Sequence, residues 1–145
     1  MRAIVICATL LAAISAEAGV YSDDMSRCLV ERTSKEERMA LVRWMFVAAS
    51  AHPAVADIAK VGSDELDKSN KMLGELLTTL LTDRCKEESK KAVKYEGPAA
   101  IQLGFQVLGQ VAGSDLFASP EVAKGMAGLE KYVDKQKLET LRTEQ

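Results

Sequence analysis

The chain has 145 residues, a formal net charge of −2 and a hydrophobic share of 48%. That length suits one domain with a sizeable core. The near-neutral charge supplies neither the basic footprint that nucleic acid needs nor a polybasic patch for anionic lipid, so neither partner is expected.

Residues 1–18 read as a secretory signal peptide. Arg2 gives the positive start, Ala3 to Ile14 are uncharged and apolar apart from Thr9, and Ala16-Glu17-Ala18 is an A-x-A cleavage site. The apolar run is shorter than the about 20 residues that a membrane-spanning helix requires. Cleavage after Ala18 leaves residues 19–145 as a single all-helical domain, periplasmic or secreted, with no stable membrane insertion. The leader carries Cys7 away, so Cys28 and Cys85 remain. In an oxidising compartment they are expected to form a disulfide. They lie far apart in the chain, unlike a C-x-x-C redox pair whose close spacing tunes one thiolate, so the bridge is structural. Asn70 is the sole asparagine and is followed by Lys71 and Met72, so the chain has no N-glycosylation sequon.

Apolar residues recur at helical spacing nearly everywhere, and no segment shows the alternation of a half-buried strand. The first helix is expected to begin near Asp23, capped by Ser22 or Asp23, with Met25, Cys28, Leu29 and Arg32 along one side. The second follows Ser34-Lys35-Glu36-Glu37, a capping box in which the serine and Glu37 satisfy each other's backbone amides. Between Met39 and Ala51 the only charge is Arg43, so this helix, 35–51, is expected at the centre with Trp44 and Phe46 as its bulk. Pro53 ends it and suits the first turn of a short helix over Ala54 to Lys60.

Ser63-Asp64-Glu65 starts the next helix, read as continuous over 64–90. Its stripe runs through Leu66, Leu73, Leu77 and Leu81 to Cys85, and the polar KEESKK run reads as its solvated end. Cys28 would tie the first helix onto it. Tyr95-Glu96-Gly97-Pro98 breaks the chain before a long helix over 98–118, with Ile101, Phe105, Leu108, Val111 or Ala112, and Leu116 as its buried face. Gly104, Gly109 and Gly113 within it mark a close approach or a kink. Ser119-Pro120 restarts the chain into a shorter helix, and Asp134 caps a last one. The P-x-V-A entries at Pro53 and Pro120 are read as shared helix punctuation, not as a repeat. The fold class is all-α, a single-domain orthogonal bundle of five to seven helices with one disulfide.

No motif for a cofactor, a metal or a catalytic group emerges. His52 is the only histidine, and with both cysteines bridged a zinc site lacks ligands. No G-x-S-x-G elbow accompanies it, so it reads as a residue at a helix C-terminus. Adjacent acids such as Glu87-Glu88 do not share a helix face and read as surface. Two residues stand out for recognition. Arg43 is a lone charge in an apolar helix, suited to an anion or an ion pair, or to laying its stem on the bundle with its head in water. Tyr95 sits in the glycine-proline break, where an aromatic can present a recognition edge. The sequence is therefore expected to encode an exported non-catalytic protein that binds another protein, as partner or inhibitor. The alternative is a helical carrier of a small apolar ligand, suggested by Met39, Met45 and Met72 and by the glycines of 98–118. An enzyme using carboxylates or Arg43 ranks below both.

Overall fold

The computed structural model describes residues 19–143, and its described residues form seven α-helices and no strand, the all-α class expected. They are α1 (Val20–Glu31), α2 (Lys35–Ala49), α3 (Ser63–Thr79), α4 (Lys86–Glu96), α5 (Ala99–Phe117), α6 (Pro120–Ala127) and α7 (Lys135–Thr143). The expected leader, with its cleavage site, lies outside the described residues. No described helix is long and apolar enough to cross a membrane.

The helices gather round α1, which lies against both α5 and α4, while α2 packs between α5 and α3. Met25 and Leu29 of α1 are fully buried, with Leu41, Leu73, Leu80 and Leu108 around them. On α5 the buried positions are Ala100, Gly104, Leu108 and Ala112, every fourth residue. A Cβ on Gly104 would stand 2.8 Å from Leu29 Cδ1 and 2.8 Å from Met25 Cε, so the glycine is where α1 comes closest. The expected close approach holds at Gly104 alone, because a Cβ at Gly109 or Gly113 would meet nothing within 4 Å. The expected face holds at Leu108 and Ala112 and is displaced elsewhere: Ile101 and Phe105 flank the contact half-buried, and Leu116 is exposed. Gln102, Gln106 and Gln110 form an exposed polar stripe, and the stripe of small side chains on the other side decides where α1 sits.

Four other expectations are corrected. α2 is an outer helix, not the centre: Leu41 and Val47 are buried, but Met39 is 63% and Phe46 62% exposed. With neighbours only in α3 and α5, a helix this rich in apolar residues leaves some of them bare. α1 begins at Val20 after Gly19, so neither Ser22 nor Asp23 is its cap. Residues 54–60 form successive turns, not a helix, with bonds such as Val55 amide to His52 carbonyl (3.0 Å) and Ile58 amide to Val55 carbonyl (3.1 Å). The His52 ring Nδ1 accepts from the Ala54 amide at 3.1 Å, which holds a tight turn in place of a helical start. At Pro120 the same P-x-V-A pattern does enter a helix, because the Ser119 hydroxyl caps it by accepting from the Val122 amide at 3.3 Å.

The fourth correction is the break at Cys85. The stretch read as one helix is two, α3 and α4, joined by a π-helical turn over Leu80–Arg84. The Cys85 amide reaches back five residues to the Leu80 carbonyl at 2.8 Å, and the backbone there leaves the helical region at φ −122°, ψ 33°. KEESKK thus opens α4, whose Ser89 and Ala92 are buried. Neither glycine nor proline marks this turn. It is held by tertiary contact, with Cys85 fully buried and bridged to α1. Beyond Ser119 the chain changes character: among the described side chains, to residue 141, none in α6, the 3-10 turn Gly128–Tyr132 or α7 is buried.

Candidate functional site

The disulfide forms as the cysteine spacing predicts. Cys28 and Cys85 are bridged with their α-carbons 5.9 Å apart. It fastens α1 to the corner between α3 and α4. Arg84, the next residue, makes a second fastening. Its Nη2 lies 2.8 Å from Glu37 Oε1, while Nη1 donates to Glu37 Oε2 at 2.9 Å and to the Arg32 carbonyl at 2.8 Å. Glu37 also accepts from the Ser34 amide at 2.8 Å, while the Ser34 hydroxyl accepts from the Glu37 amide at 3.2 Å. The predicted capping box is therefore present. Its carboxylate serves the start of α2 and the Arg84 fork together. The Arg84 hydrogen bond foremost, then the Ser34 amide, holds Glu37 down to about 2 against the opposing effect of burial.

A second long-range carboxylate was not legible in the sequence. α1 has no side-chain cap of its own. Glu96, at the end of α4, supplies one from across the fold. The Tyr21 amide donates to its Oε1 at 2.8 Å, the Ser22 amide to its Oε2 at 2.9 Å, and the Ser22 hydroxyl to the same Oε2. An anion at a helix N-terminus meets unsatisfied amides and the positive end of the dipole. The Ser22 hydroxyl first, then these amides, keep the carboxyl below its ordinary range. A Cβ on Gly19 would collide with that carboxyl, so a glycine precedes the helix. Gly97 follows with φ 86°, a left-handed conformation that suits glycine and turns the chain into α5.

Tyr95 sits beside this cap. Its ring stacks on Tyr21 at 4.8 Å between centroids, and Lys94 Nζ lies 4.9 Å from its centre. Arg43 stands on α2, which does not touch α4, so the two candidate recognition residues are not brought together. Arg43 faces out and pairs with Glu65 of α3 through Nη2 at 2.6 Å and Nε at 3.1 Å. That hydrogen bond, with its charge, holds Glu65 below its ordinary range. Trp44 is half-buried, and its indole N–H donates to Asn70 Oδ1 at 2.9 Å, which ties α2 to α3 at the surface. His52 is exposed.

An open groove of about 720 Å³ lies between α2 and the junction of α5 with α6. Met39, Val42, Leu116 and Pro120 give it an apolar floor. Its rim carries Lys35, Arg38, Arg43, Asp115 and Glu121. Arg38 spans it, Nε to Asp115 Oδ2 at 2.7 Å, while Nη1 donates to the Thr33 carbonyl at 2.8 Å. Two rim charges, Arg38 and Asp115, pair with each other and Arg43 pairs with Glu65 beyond the rim, while the floor remains apolar. A smaller apolar groove, about 520 Å³, lies along α4 and is lined by Leu81, Val93 and Ile101 with three lysines. A third hollow, about 240 Å³ and polar, sits beside Cys28. Among the described residues, no three His, Cys, Asp or Glu side chains converge as a metal site would require.

No protein-family model, no curated protein and no solved structure matches this chain. What the molecule does must be argued from its own surface.

Proposed function

We propose that this chain is an exported, non-catalytic interaction protein that docks another protein over the groove between α2 and α5–α6. The observation that carries the reading is the amount of large apolar surface left bare on α2, the end of α5 and the C-terminal segment. Met39, Phe46, Leu116 and Phe117 are exposed on α2 and α5, and Met126, Leu129 and Leu138 continue the series along the C-terminal segment. Monomers rarely leave contiguous apolar patches of this kind unless a partner covers them. The rim of mixed charge around an apolar floor has the anatomy of a protein interface, with an apolar centre and a polar edge. Export is supported by the form of residues 1–18 and by a disulfide that an oxidising compartment would maintain.

The test pairs capture with a groove variant. The mature chain, carrying a photo-crosslinker at Phe117, is expressed in its native cells beside Met39→Glu/Leu116→Glu. The expected result is one dominant crosslinked protein, lost in the double variant while circular dichroism stays unchanged. Equal crosslinking by the two, or none by either, refutes the reading. Intact mass of the exported form is expected to correspond to a chain starting at Gly19, and a chain retaining residues 1–18 refutes export with cleavage. The rival reading, a carrier of a small apolar ligand, is favoured by the size of the groove but not by its openness, since carriers enclose most of their ligand. Saturable one-to-one binding of a fatty acid, abolished by the same double variant, would decide for it.

A further inference from the structure

The smaller groove has features that the docking reading above does not use. Lys86, Lys90 and Lys94 line it from α4 at four-residue spacing. Side chains so spaced stand on one face of a helix, about 12 Å from first to last at 1.5 Å per residue. Among the described residues, neither Lys86 nor Lys94 is in an ion pair, and Lys90 has only an exposed contact at 3.2 Å to Glu87 of its own helix. Below the lysines the floor is Leu81, Val93 and Ile101. Ser89 lies among them, 8% exposed, and its hydroxyl is a buried side-chain oxygen with no hydrogen-bond partner. That hydroxyl lies beneath the surface of the groove, out of reach of a docked ligand, so the lysines and the apolar floor are what a partner meets.

We infer that this strip of α4 docks an amphipathic helix of a partner protein that carries acids at every fourth residue beside an apolar stripe. The inference rests on the interaction reading and names a second contact surface for it. The shape and charge of the strip select the occupant. A helix is a rod with the same rise per residue, so acids at four-residue spacing meet the three lysines in register while the apolar stripe fills the floor. The carboxylate of a single fatty acid would engage one lysine and leave the others unmatched. A bilayer surface is flat and would meet the lysine heads without reaching Leu81 and Ile101 in the recess.

The probe is a synthetic blocked peptide helix with glutamates at four-residue spacing and leucines on the adjacent face, followed by fluorescence anisotropy against the mature protein. Saturable binding is expected, weakening at higher salt. Lys90→Glu is expected to weaken it at least about tenfold, and Lys86→Glu/Lys94→Glu further, because like charges then face each other. A lysine-for-glutamate peptide is expected to bind the triple Lys→Glu variant and not the wild type. Ser89→Ala is expected to leave binding unchanged, since its hydroxyl is buried beneath the groove. Lys124→Glu, on α6, is expected to leave binding unchanged. No saturable binding, equal binding by the lysine-reversed variants, or capture of anionic phospholipid vesicles in place of the peptide overturns the inference. Loss of peptide binding with native crosslinking at Phe117 intact removes the lysine strip alone, whereas peptide binding without crosslinking removes the groove alone.

Discussion

Gly104→Ala adds one methyl group at the tightest point of the fold. The new carbon would stand 2.8 Å from both Leu29 Cδ1 and Met25 Cε. Carbon atoms settle at about 3.5–4.0 Å, so each neighbour must retreat by roughly 0.7–1.2 Å. Both are fully buried, and a packed core resists that retreat. Overpacking of this kind costs about 1–3 kcal/mol. Alanine is about 1 kcal/mol better than glycine in a helix interior, which offsets part of the cost. The expected net loss is up to about 2 kcal/mol, a fall of up to roughly 8 °C in melting temperature for a domain of this size. Gly109→Ala on the same helix is the control. Its Cβ would meet nothing within 4 Å, so the helix gain stands alone. That variant is expected to be more stable by about 0.5–1 kcal/mol. Urea unfolding followed by far-ultraviolet circular dichroism gives both values. Shifts of the same sign, or a Gly104→Ala protein more stable than the wild type, would refute the close packing of α1 on α5.

Acid should expose the Glu37–Arg84 fork. Glu37 is lowered from an ordinary 4.5 to about 2, so its contribution is present above the unfolded value and fades as pH falls from 4.5 toward 2. After discounting for solvent screening of a partly exposed pair, the wild type is expected to lose about 1–2 kcal/mol more than Glu37→Gln over that interval. Parallel acid limbs in urea titrations would show that the fork contributes nothing. The double variant Cys28→Ser/Cys85→Ser is expected to lose about 2–5 kcal/mol, and free-thiol titration of the native protein to find none. A melting temperature indifferent to reductant contradicts this. Trp44→Ala is expected to cost about 2–4 kcal/mol, toward the lower end for a tryptophan because the ring is only half-buried. His52→Ala is expected to stay within about 0.5 kcal/mol of wild type. A His52→Ala protein that folds normally but loses crosslinking would place the histidine at the interface.

The sequence carries its local signals well and its long-range ones poorly. The capping box at Ser34 and Glu37, the Ser119 cap, the break at Gly97 and the disulfide all depend on residue types at short spacing or on a count of two cysteines, and each is present. The break at Cys85 depends on a bridge and on contacts of α4 with α1 and α5, and nothing local announces it. The Glu96 cap joins residues 75 and 74 apart, beyond any periodic pattern. The expected face of α5 is one residue off at Ile101 and Phe105, although the exposed Gln102, Gln106 and Gln110 mark its far side, and α2 is expected at the centre because Arg43 is the only charge between Met39 and Ala51. The candidate site shares the limit of local signals. Arg43 and Tyr95 stood out because they are unusual in their own segments. Lys86, Lys90 and Lys94 are ordinary in a polar helix, and they become a feature only once Leu81 and Ile101 are set beside them.

The small residues at the centre and the large ones outside have one cause. Ala92, Ala100, Ala112 and Gly104 occupy buried positions where helices meet, and they allow close approach. A narrow core formed this way has few places for big side chains, so Phe46, Phe117 and Met39 remain on the surface. Covering such a side chain fully contributes about 1.5–3 kcal/mol. Association costs an estimated 4–15 kcal/mol in lost freedom before any affinity appears. Met39, Leu116 and Phe117 alone therefore sit near the break-even point. A stable complex requires the partner to reach further, along the unpacked C-terminal helices or onto the lysine strip of α4. The charges have a complementary role. With Arg38 and Arg43 already engaged by Asp115 and Glu65, the α2–α5 groove offers area but little charge selectivity. The α4 strip offers charge selectivity on a smaller area. A partner using both surfaces would take its affinity chiefly from the first and its register from the second.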